Sequence, residues 1–364
     1  MSGVWDRSSG DRSLSDLKTE RRRMEEEKTV CVTGASGFIA SWLVKLLLER
    51  GYHVRAVVRD PENAEKVKHL VDLPDAKARL SLWKGDLAVE GSYDDAVLGC
   101  VGVFHLATPM GFNSSTDPEN EIIKPTVDGV LNVLRSCCKA KSTLKRVVYT
   151  SSMAAVAVNK PPPPAEYDES FWTNVDVCRA VKMGGWSYFA AKTLGEKAAW
   201  EFAKENGVDL VAIQPPVVMG PFLTPYRTPS AGIALSLLTR NTTAYPLLMR
   251  SRAVHLDDVC NAHILLFEHP QAEGRFLCSS HTFTILDLAK YLKQKYPEYN
   301  IPTQFEGIDE STKSIPCSTK KLKELGFKFK YTEEECHVGV LFDEAINCCR
   351  EKGLLPPPSA NPVQ

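Results

Sequence analysis

The chain of 364 residues is predicted to be an α/β protein with a doubly wound parallel sheet, followed by a smaller C-terminal α/β region. Short apolar runs alternate with helical segments over the first two-thirds of the sequence, which is typical of a parallel sheet with helices on both faces. The first apolar run leads into a turn with two glycines and then into a helical repeat. Hydrophobic residues make up 43% and charged residues 24%, so the composition supports an extensive core.

The predicted elements follow one another in a regular order. Strands are expected at 29–33, 53–58, 80–83, 101–106, 146–150 and 209–213, and helices from Phe38 to before Gly51, at 127–137 and at 186–205. After about residue 220, prolines punctuate helices and short strands. We therefore expect a disordered tail at 1–28, a first domain at 29–220, a region at 221–355 that partly returns to the first domain, and a second tail at 356–364. The four prolines at 161–164 predict a surface loop.

Charge and cysteine content exclude several classes of protein. Lys plus Arg is 44 and Asp plus Glu is 45, a net charge of -1, which argues against nucleic-acid binding. No apolar run reaches the roughly 20 residues that span a bilayer, and residues 1–28 lack the apolar core of a signal peptide. The 11 cysteines form no C-x-x-C, and His255, His263 and His269 lack close ligand spacing, so no metal site is expected. A reduced, cytoplasmic compartment fits these cysteines.

The turn after the first strand carries the spacing G-x-x-G-x-x-A. Gly34 permits a tight turn, Gly37 allows the backbone to approach a pyrophosphate, and Ala40 lets the helix pack closely on the strand. The helix N-terminus then offers unpaired N–H groups to the phosphates. Glycine can also serve such a turn purely structurally. The position of the G-x-x-G-x-x-A turn between a strand and a helix favours dinucleotide binding, and therefore a Rossmann-type sheet.

The end of the second strand distinguishes the two nicotinamide cofactors. An NAD site usually has an acidic residue there, whereas this chain has Arg59, whose guanidinium suits the 2′-phosphate of NADP, with Lys66 nearby. Asp60 is the competing residue, and we expect it to cap the next helix with Pro61 at the first helical position. Arg59 could instead be a surface charge. Asp86 suits either a contact to adenine or a loop cap.

Three side chains have the spacing of a carbonyl-reducing site. Tyr188 and Lys192 lie four residues apart in the long helix, on one face, and Ser152 follows the strand at 146–150. Tyr188 would donate a proton to a carbonyl oxygen, and Lys192 would lower the pKa of the phenol. Ser152 would hold the carbonyl. In the alternative, Tyr188 packs on a helix face and Ser152 caps a strand end; the consistent order of the motifs favours catalysis.

Four stretches carry a resemblance to a known family. They are V-C-V-T-G-A-S-G-F-I at 30–39, D-P-E-N-E at 117–121, V-H-L-D-D at 254–258 and Y-P-E-Y-N-I-P at 296–302. With them the chain resembles the extended short-chain dehydrogenases/reductases, and among these the plant dihydroflavonol 4-reductases, from about residue 29 to 356. The resemblance implies NADPH-dependent reduction of the 4-keto group of a dihydroflavonol to a leucoanthocyanidin. It also implies that Ser152, Tyr188 and Lys192 form the catalytic triad.

The resemblance extends the predicted sites. It implies that Arg59 and Lys66 bind the 2′-phosphate, that Pro215 lies beside the nicotinamide, and that Phe189 and Ser230 line the flavonoid pocket. The predicted cofactor site then comprises Gly34, Ser36, Gly37, Phe38, Ile39, Arg59, Lys66, Asp86, Leu87, Ala107, Thr108, Tyr188, Lys192, Pro215 and Val218. The predicted substrate site comprises Ser152, Ala157, Tyr188, Phe189, Pro216, Ser230 and Arg252. Met110 and Phe112 either wall this pocket or pack within their loop. The expected partners are the flavonoid and, by weak association, other enzymes of the pathway.

Three residues depart from the family pattern. Ala157 stands where the family has an Asn that holds the B-ring hydroxyls, Arg252 where it has Gln, and Pro216 where it has Thr. A methyl group cannot replace the hydrogen bonds of an amide. Arg252 either points to solvent or places its charge over an aromatic ring. We therefore expect intact chemistry with an altered or weaker preference among dihydroflavonols.

Other functions stay open at this level. Reductases of anthocyanidins, flavanones, cinnamoyl-CoA or small aldehydes share the fold, although the Asn-Trp-Tyr-Cys-Tyr segment of cinnamoyl-CoA reductases is replaced by G-G-W-S-Y at 184–188. A non-catalytic NADP-binding sensor or scaffold is a further alternative, because a fold does not determine a function. Such proteins often lack the tyrosine or the lysine, and both are present here.

Overall fold

A computed structural model describes residues 28–109 and 116–358. The predictions made for residues 1–27, Met110, Phe112 and residues 359–364 lie outside the described residues. Within the described ranges the strands are β1 (Thr29–Thr33), β2 (His53–Val58), β3 (Leu80–Lys84), β4 (Gly102–His105), β5 (Arg146–Thr150), β6 (Leu210–Gln214), β7 (Val217–Met219), β8 (Arg250–His255), β9 (Gly274–Leu277) and β10 (His281–Thr284).

The helices alternate with these strands. They are α1 (Phe38–Glu49), α2 (Ala64–Val71), α3 (Ala76–Arg79), α4 (Asp94–Val97), α5 (Lys124–Lys139), α6 (Val175–Val181), α7 (Trp186–Asn206), α8 (Pro229–Thr239), α9 (Leu256–Glu268), α10 (Ile285–Lys295), α11 (Lys320–Glu324) and α12 (Val338–Glu351). A single π turn at Glu119–Ile123 and 3₁₀ turns at Met153–Ala155 and Thr242–Leu247 complete the described elements.

The main sheet is parallel throughout, with the strand order β3-β2-β1-β4-β5-β6-β9. Side chains alternate between its two faces, so Val30 and Val32 pack with α1 and α9 while Cys31 packs with α5 and α7. The chain reverses its direction of winding between β1 and β4, which places a ligand crevice at the carboxyl ends of those strands. This arrangement confirms the predicted Rossmann-type fold.

A second sheet of order β10-β8-β7 lies in the C-terminal part. Its core combines residues of α8, α10 and α12, such as Leu235, Leu288 and Phe342. The chain after residue 220 also contributes to the first sheet, because β9 pairs with β6 and α9 packs against α1.

One local prediction, the helix cap at Asp60, is wrong. Helix α2 begins at Ala64, and its cap is Asn63, whose side chain accepts the N–H of Lys66 at 3.2 Å. Asp60 instead accepts the N–H of Glu62 at 3.2 Å within the preceding turn, so it does not cap the helix. At the C-terminal end of the described residues, the carbonyl of Pro356 accepts the Tyr299 hydroxyl at 2.6 Å.

The loop at 161–164 is largely exposed, as its prolines predict. All eleven cysteines are free thiols, and most of them lie buried in the cores. In the part of the chain that the structure describes, no helix has both the length and the apolar character to cross a bilayer.

Candidate active site

The glycine turn between β1 and α1 has a shape that only glycine permits at its first position. Gly34 has φ +64°, and a Cβ atom there would lie 2.9 Å from Cα of Ala107. The N–H of Gly37 donates to the carbonyl of Gly34 at 2.9 Å, which closes the turn. The N-cap of α1 is Gly37, which has no side chain that could accept the first N–H groups of the helix. These features fit the pyrophosphate of a dinucleotide.

The end of β4 is fastened to the end of β1 by Thr33, a residue that the sequence analysis did not single out. Its hydroxyl oxygen accepts the N–H groups of Leu106 at 3.1 Å and Ala107 at 3.0 Å, and it lies 2.8 Å from Nδ1 of His105. Burial, with the nearby Lys192, lowers the pKa of His105 to about 3. The imidazole is therefore neutral, and its Nδ1 accepts the Thr33 proton. This contact positions Ala107 against the glycine turn.

The residues predicted to hold the adenosine end lie beyond β2 and β3. Arg59 and Lys66 are exposed, and neither forms an ion pair with a described carboxylate. Asp86 accepts the N–H of Ala88 at 2.9 Å, so it has the geometry of a loop cap, which leaves a contact to adenine untested. The carbonyl of Leu87 accepts the side chain of Asn132 at 2.8 Å. Arg59 thus directly follows β2, and Lys66 lies in the first turn of α2.

The three residues predicted to be catalytic meet at the carboxyl end of β5. Ser152 accepts the N–H of Ala154 at 3.1 Å, and its side chain acts on the Tyr188 phenol in the direction that lowers the pKa of that group. Lys192 is buried and donates to Oγ1 of Thr108 at 2.9 Å and to the carbonyl of Thr150 at 3.3 Å. The lysine therefore joins the ends of β4 and β5, one helical turn from the phenol.

The electrostatics of this group differ from the prediction. The spacing predicts that Lys192 lowers the pKa of the phenol, but burial raises the pKa of Tyr188, and the Ser152 hydrogen bond only partly opposes it. Burial also lowers the pKa of Lys192 to about 8, an effect that the carboxylate of Glu196 opposes. The prediction is wrong because desolvation acts on both groups and disfavours their charged forms.

Two segments predicted to border the nicotinamide and substrate lie next to Ser152. The carbonyl of Pro215 accepts the N–H of Met153 at 3.0 Å, which ties the end of β6 to the serine turn. The ring of Phe189 stands edge-on to that of Tyr188, with centroids 6.4 Å apart. Val218 is buried in β7, and Pro216 is half-buried just before it.

The departures Ala157 and Arg252 are linked through Tyr167. The Tyr167 hydroxyl donates to the carbonyl of Ala157 at 2.9 Å. The guanidinium of Arg252 lies 4.9 Å from the centre of the Tyr167 ring, and its Nε donates to the carbonyl of Ile315. Arg252 is 9% exposed, so it takes the position over an aromatic ring rather than the one in solvent. Ser230 is half-buried in the first turn of α8.

Glu196 is the main residue of this region that sequence reasoning missed. It follows Lys192 by four residues on the same helix face and is fully buried. Its carboxylate accepts a hydrogen bond from Ser151, the neighbour of Ser152. The sequence does contain a signal for this residue. Glu196 follows Lys192 by the same four-residue spacing that separates Lys192 from Tyr188, which places an acidic side chain on the same helix face.

A dinucleotide crevice that opens beside a phenol, a serine and a buried lysine is the arrangement of a nicotinamide-dependent oxidoreductase. The family model described as "NAD dependent epimerase/dehydratase family" matches residues 30–278. The chain belongs to this family, and within it to the dihydroflavonol 4-reductase group of the extended short-chain dehydrogenases/reductases.

Individual relatives agree with this assignment. A bifunctional dihydroflavonol 4-reductase/flavanone 4-reductase of Malus domestica is 56% identical over 333 residues, 92% of this chain and 93% of the relative. A dihydroflavonol 4-reductase of Arabidopsis thaliana is also 56% identical, over 92% of this chain and 85% of the relative. Among solved structures, alfalfa vestitone reductase is 39% identical with a TM-score of 0.74, over 90% of this chain and 99% of that one. Yeast Gre2, a methylglyoxal/isovaleraldehyde reductase complexed with NADPH, is 27% identical with a TM-score of 0.73, over the same shares.

Proposed function

We propose that this protein is an NADPH-dependent reductase that converts the 4-keto group of a dihydroflavonol into the hydroxyl group of a leucoanthocyanidin. The observation that carries the proposal is the position of Ser152 directly after β5, where the buried Lys192, one helical turn from Tyr188, donates to the carbonyl of Thr150 at 3.3 Å and to Oγ1 of Thr108 at 2.9 Å. The similarity to dihydroflavonol 4-reductases supports the choice of substrate. Purified protein incubated with NADPH and a dihydroflavonol, with the product identified, tests it; binding of NADPH without turnover of any ketone would contradict it.

We place the cofactor in residues 29–220 and the substrate between this domain and residues 221–355. The glycine turn would hold the pyrophosphate, and Arg59 and Lys66 the 2′-phosphate. Lys192 would bond the nicotinamide ribose, and Pro215 would border the ring. Bound NADPH supplies the hydride, whereas the protein supplies orientation and the proton.

The proton comes from Tyr188. Because burial raises the pKa of its phenol, the hydroxyl is protonated at neutral pH and is ready to act as an acid. Ser152 donates a hydrogen bond that holds the substrate carbonyl and stabilises the charge that develops on its oxygen. As the proton leaves Tyr188, the ammonium of Lys192 stabilises the phenolate.

Arg59 is expected to select NADPH over NADH. We predict that Arg59→Ala raises KM for NADPH by about 10- to 100-fold, because hydrogen bonds to a charged group contribute about 1.5–3 kcal/mol. KM for NADH should change little, since NADH lacks the 2′-phosphate. Steady-state kinetics with both cofactors measure the effect. Lys68→Ala is the matched control, since Lys68 is an exposed cation on α2 that pairs with Asp72. An equal effect of Arg59→Ala on both cofactors would refute the assignment.

We also propose that substrate preference is altered at the wall formed by Ala157, Tyr167 and Arg252. Ala157 offers no side-chain hydrogen bond, and its carbonyl is already occupied by Tyr167. Arg252 can only donate hydrogen bonds, whereas an amide both donates and accepts. This wall therefore holds phenolic hydroxyl groups less well than a pair of amides would.

Restoring an amide should improve recognition of hydroxylated substrates. We expect Ala157→Asn to raise kcat/KM for dihydroquercetin by about 2- to 10-fold, which corresponds to one hydrogen bond of about 0.5–1.5 kcal/mol. The panel includes dihydrokaempferol, dihydromyricetin and a flavanone, because the Malus relative is named for both substrate classes. Ala165→Asn in the exposed part of the same loop is the control. Efficient turnover by the unmodified protein that Ala157→Asn leaves unchanged would remove this proposal.

We further propose a cytoplasmic location with weak association to other enzymes of flavonoid synthesis. The eleven free thiols support a reduced compartment. Fractionation of cells that express a tagged chain, with pull-down of pathway enzymes, tests both statements.

A further inference from the structure

The carboxylate of Glu196 is the point where three catalytic segments meet. Ser151 donates to one carboxylate oxygen at 2.5 Å, and the side chains of Gln214 and Arg275 donate to the other at 2.7 Å each. Ser151 immediately precedes Ser152, and Gln214 immediately precedes Pro215. Glu196 itself lies one helical turn beyond Lys192. One buried group therefore connects the elements that carry the serine, the lysine and the wall beside the nicotinamide.

The carboxylate of Glu196 is paired with Arg275, which is itself held by several contacts. Arg275 donates to the carbonyls of Glu169 at 2.7 Å and Phe171 at 2.6 Å, and its guanidinium lies 3.7 Å from the centre of the Trp172 ring. Glu196 is fully buried and Arg275 is 8% exposed. Both members of this buried ion pair are held by several hydrogen bonds, and loss of either partner leaves the other uncompensated.

The groups that face Lys192 come from several elements. His105 on β4 and Tyr149 on β5 lie near its ammonium, as does Tyr188 on the same helix. His105 is neutral because its pKa is lowered to about 3, and burial raises the pKa values of both tyrosines, which keeps them protonated. Glu196 is the carboxylate that acts on Lys192, and Arg275 on β9 neutralises part of its charge.

We propose that Glu196 is a positioning residue that aligns Ser152, Lys192 and Pro215 and whose carboxylate acts electrostatically on the ammonium of Lys192. This inference rests on the proposed reductase function and adds a second layer of residues behind the catalytic groups. It acts through Lys192 and Ser151 and does not require Glu196 to touch the substrate.

The test is the pH dependence of kcat in Glu196→Gln. Burial holds the pKa of Lys192 at about 8, so the ammonium is lost as pH rises through that range. Without the carboxylate the loss should occur at lower pH, which moves the alkaline limb of the kcat profile down by about one pH unit. KM should change little. Glu196→Asp keeps the charge and should keep the limb in place. A uniform loss of kcat with an unmoved limb would show that Glu196 is merely structural.

Two further measurements keep the test decisive. Asp258→Asn removes another buried carboxylate, which accepts the N–H groups of Lys330 and Tyr331, and should leave the limb unmoved. If Glu196→Gln does not fold, the double variant Glu196→Gln/Arg275→Met removes the ion pair as a unit and should still shift the limb in the same direction.

The protonation state of Lys192 can also be measured in the absence of substrate. Acetylation of Lys192 by acetic anhydride, followed by peptide mass spectrometry over a pH series, reports the unprotonated amine directly. We expect half-maximal labelling at lower pH in Glu196→Gln than in the wild type, and identical curves would overturn the inference. If the wild-type protein reduced no dihydroflavonol, the proposed substrate would fail while this titration still tested Glu196.

Discussion

Tyr188→Phe is expected to lower kcat for ketone reduction by about 100- to 10,000-fold, the usual contribution of a general acid. The substitution removes one oxygen atom and keeps the ring that packs edge-on to Phe189. Loss of the hydroxyl leaves the reduced carbonyl without its proton donor and removes the hydrogen bond to Ser152. KM for NADPH should change little, because the phenol is not expected to hold the cofactor's phosphates.

The matched control is Tyr296→Phe, which removes another buried phenolic hydroxyl. Tyr296 donates to Asp343 at 2.5 Å on α12, in the core of the C-terminal region. This variant should lose stability while its kcat stays near the wild-type value. Single-turnover measurements with NADPH bound at saturation separate chemistry from cofactor binding. Unchanged product formation by Tyr188→Phe would contradict the proposed mechanism.

The fold and the reacting side chains could be predicted because their signals are local in sequence. Strand and helix periods predicted the parallel sheet, and the spacing of Tyr188 and Lys192 placed both on one helix face. The ends of parallel strands share one edge, so Ser152 could be brought to the same place. Each of these inferences needs only the regular geometry of one element or one sheet.

The supporting residues could not be predicted, because their partners are distant in sequence. The role of Glu196 depends on its hydrogen bond with Arg275, which is 79 positions away in the sequence. The role of Thr33 depends on its hydrogen bond with His105, which is 72 positions away. Arg252 left two alternatives open, and only its packing over Tyr167 decided between them. The sequence analysis predicted that Lys192 lowers the pKa of the Tyr188 phenol, whereas burial raises it. The extent of burial cannot be derived from a four-residue spacing.

Gly34→Ala is expected to abolish productive cofactor binding, with a fall in kcat/KM for NADPH of about 100-fold or more. The new methyl group would lie 2.9 Å from Cα of Ala107, which is backbone and cannot rotate away. Ala107 is held by Thr33, so relief of the clash must displace the end of β4 or the glycine turn itself. Either displacement moves the backbone N–H groups of the turn out of hydrogen-bonding position for the pyrophosphate.

Backbone strain and steric clash can be separated with Gly51→Ala. Gly51 also has a positive φ, +80°, but among the described residues, its two chain neighbours aside, no heavy atom lies within 4 Å of the position that a Cβ atom would take there. Gly51→Ala should lose about 1–2 kcal/mol of folding stability, the usual cost of a left-handed conformation for alanine, and Gly34→Ala should lose more because its methyl group also meets Ala107. Titration of NADPH fluorescence should show weaker binding for Gly34→Ala alone. Because the strain is common to both variants, equal affinities in the two proteins would mean that the contact with Ala107 does not shape the cofactor site.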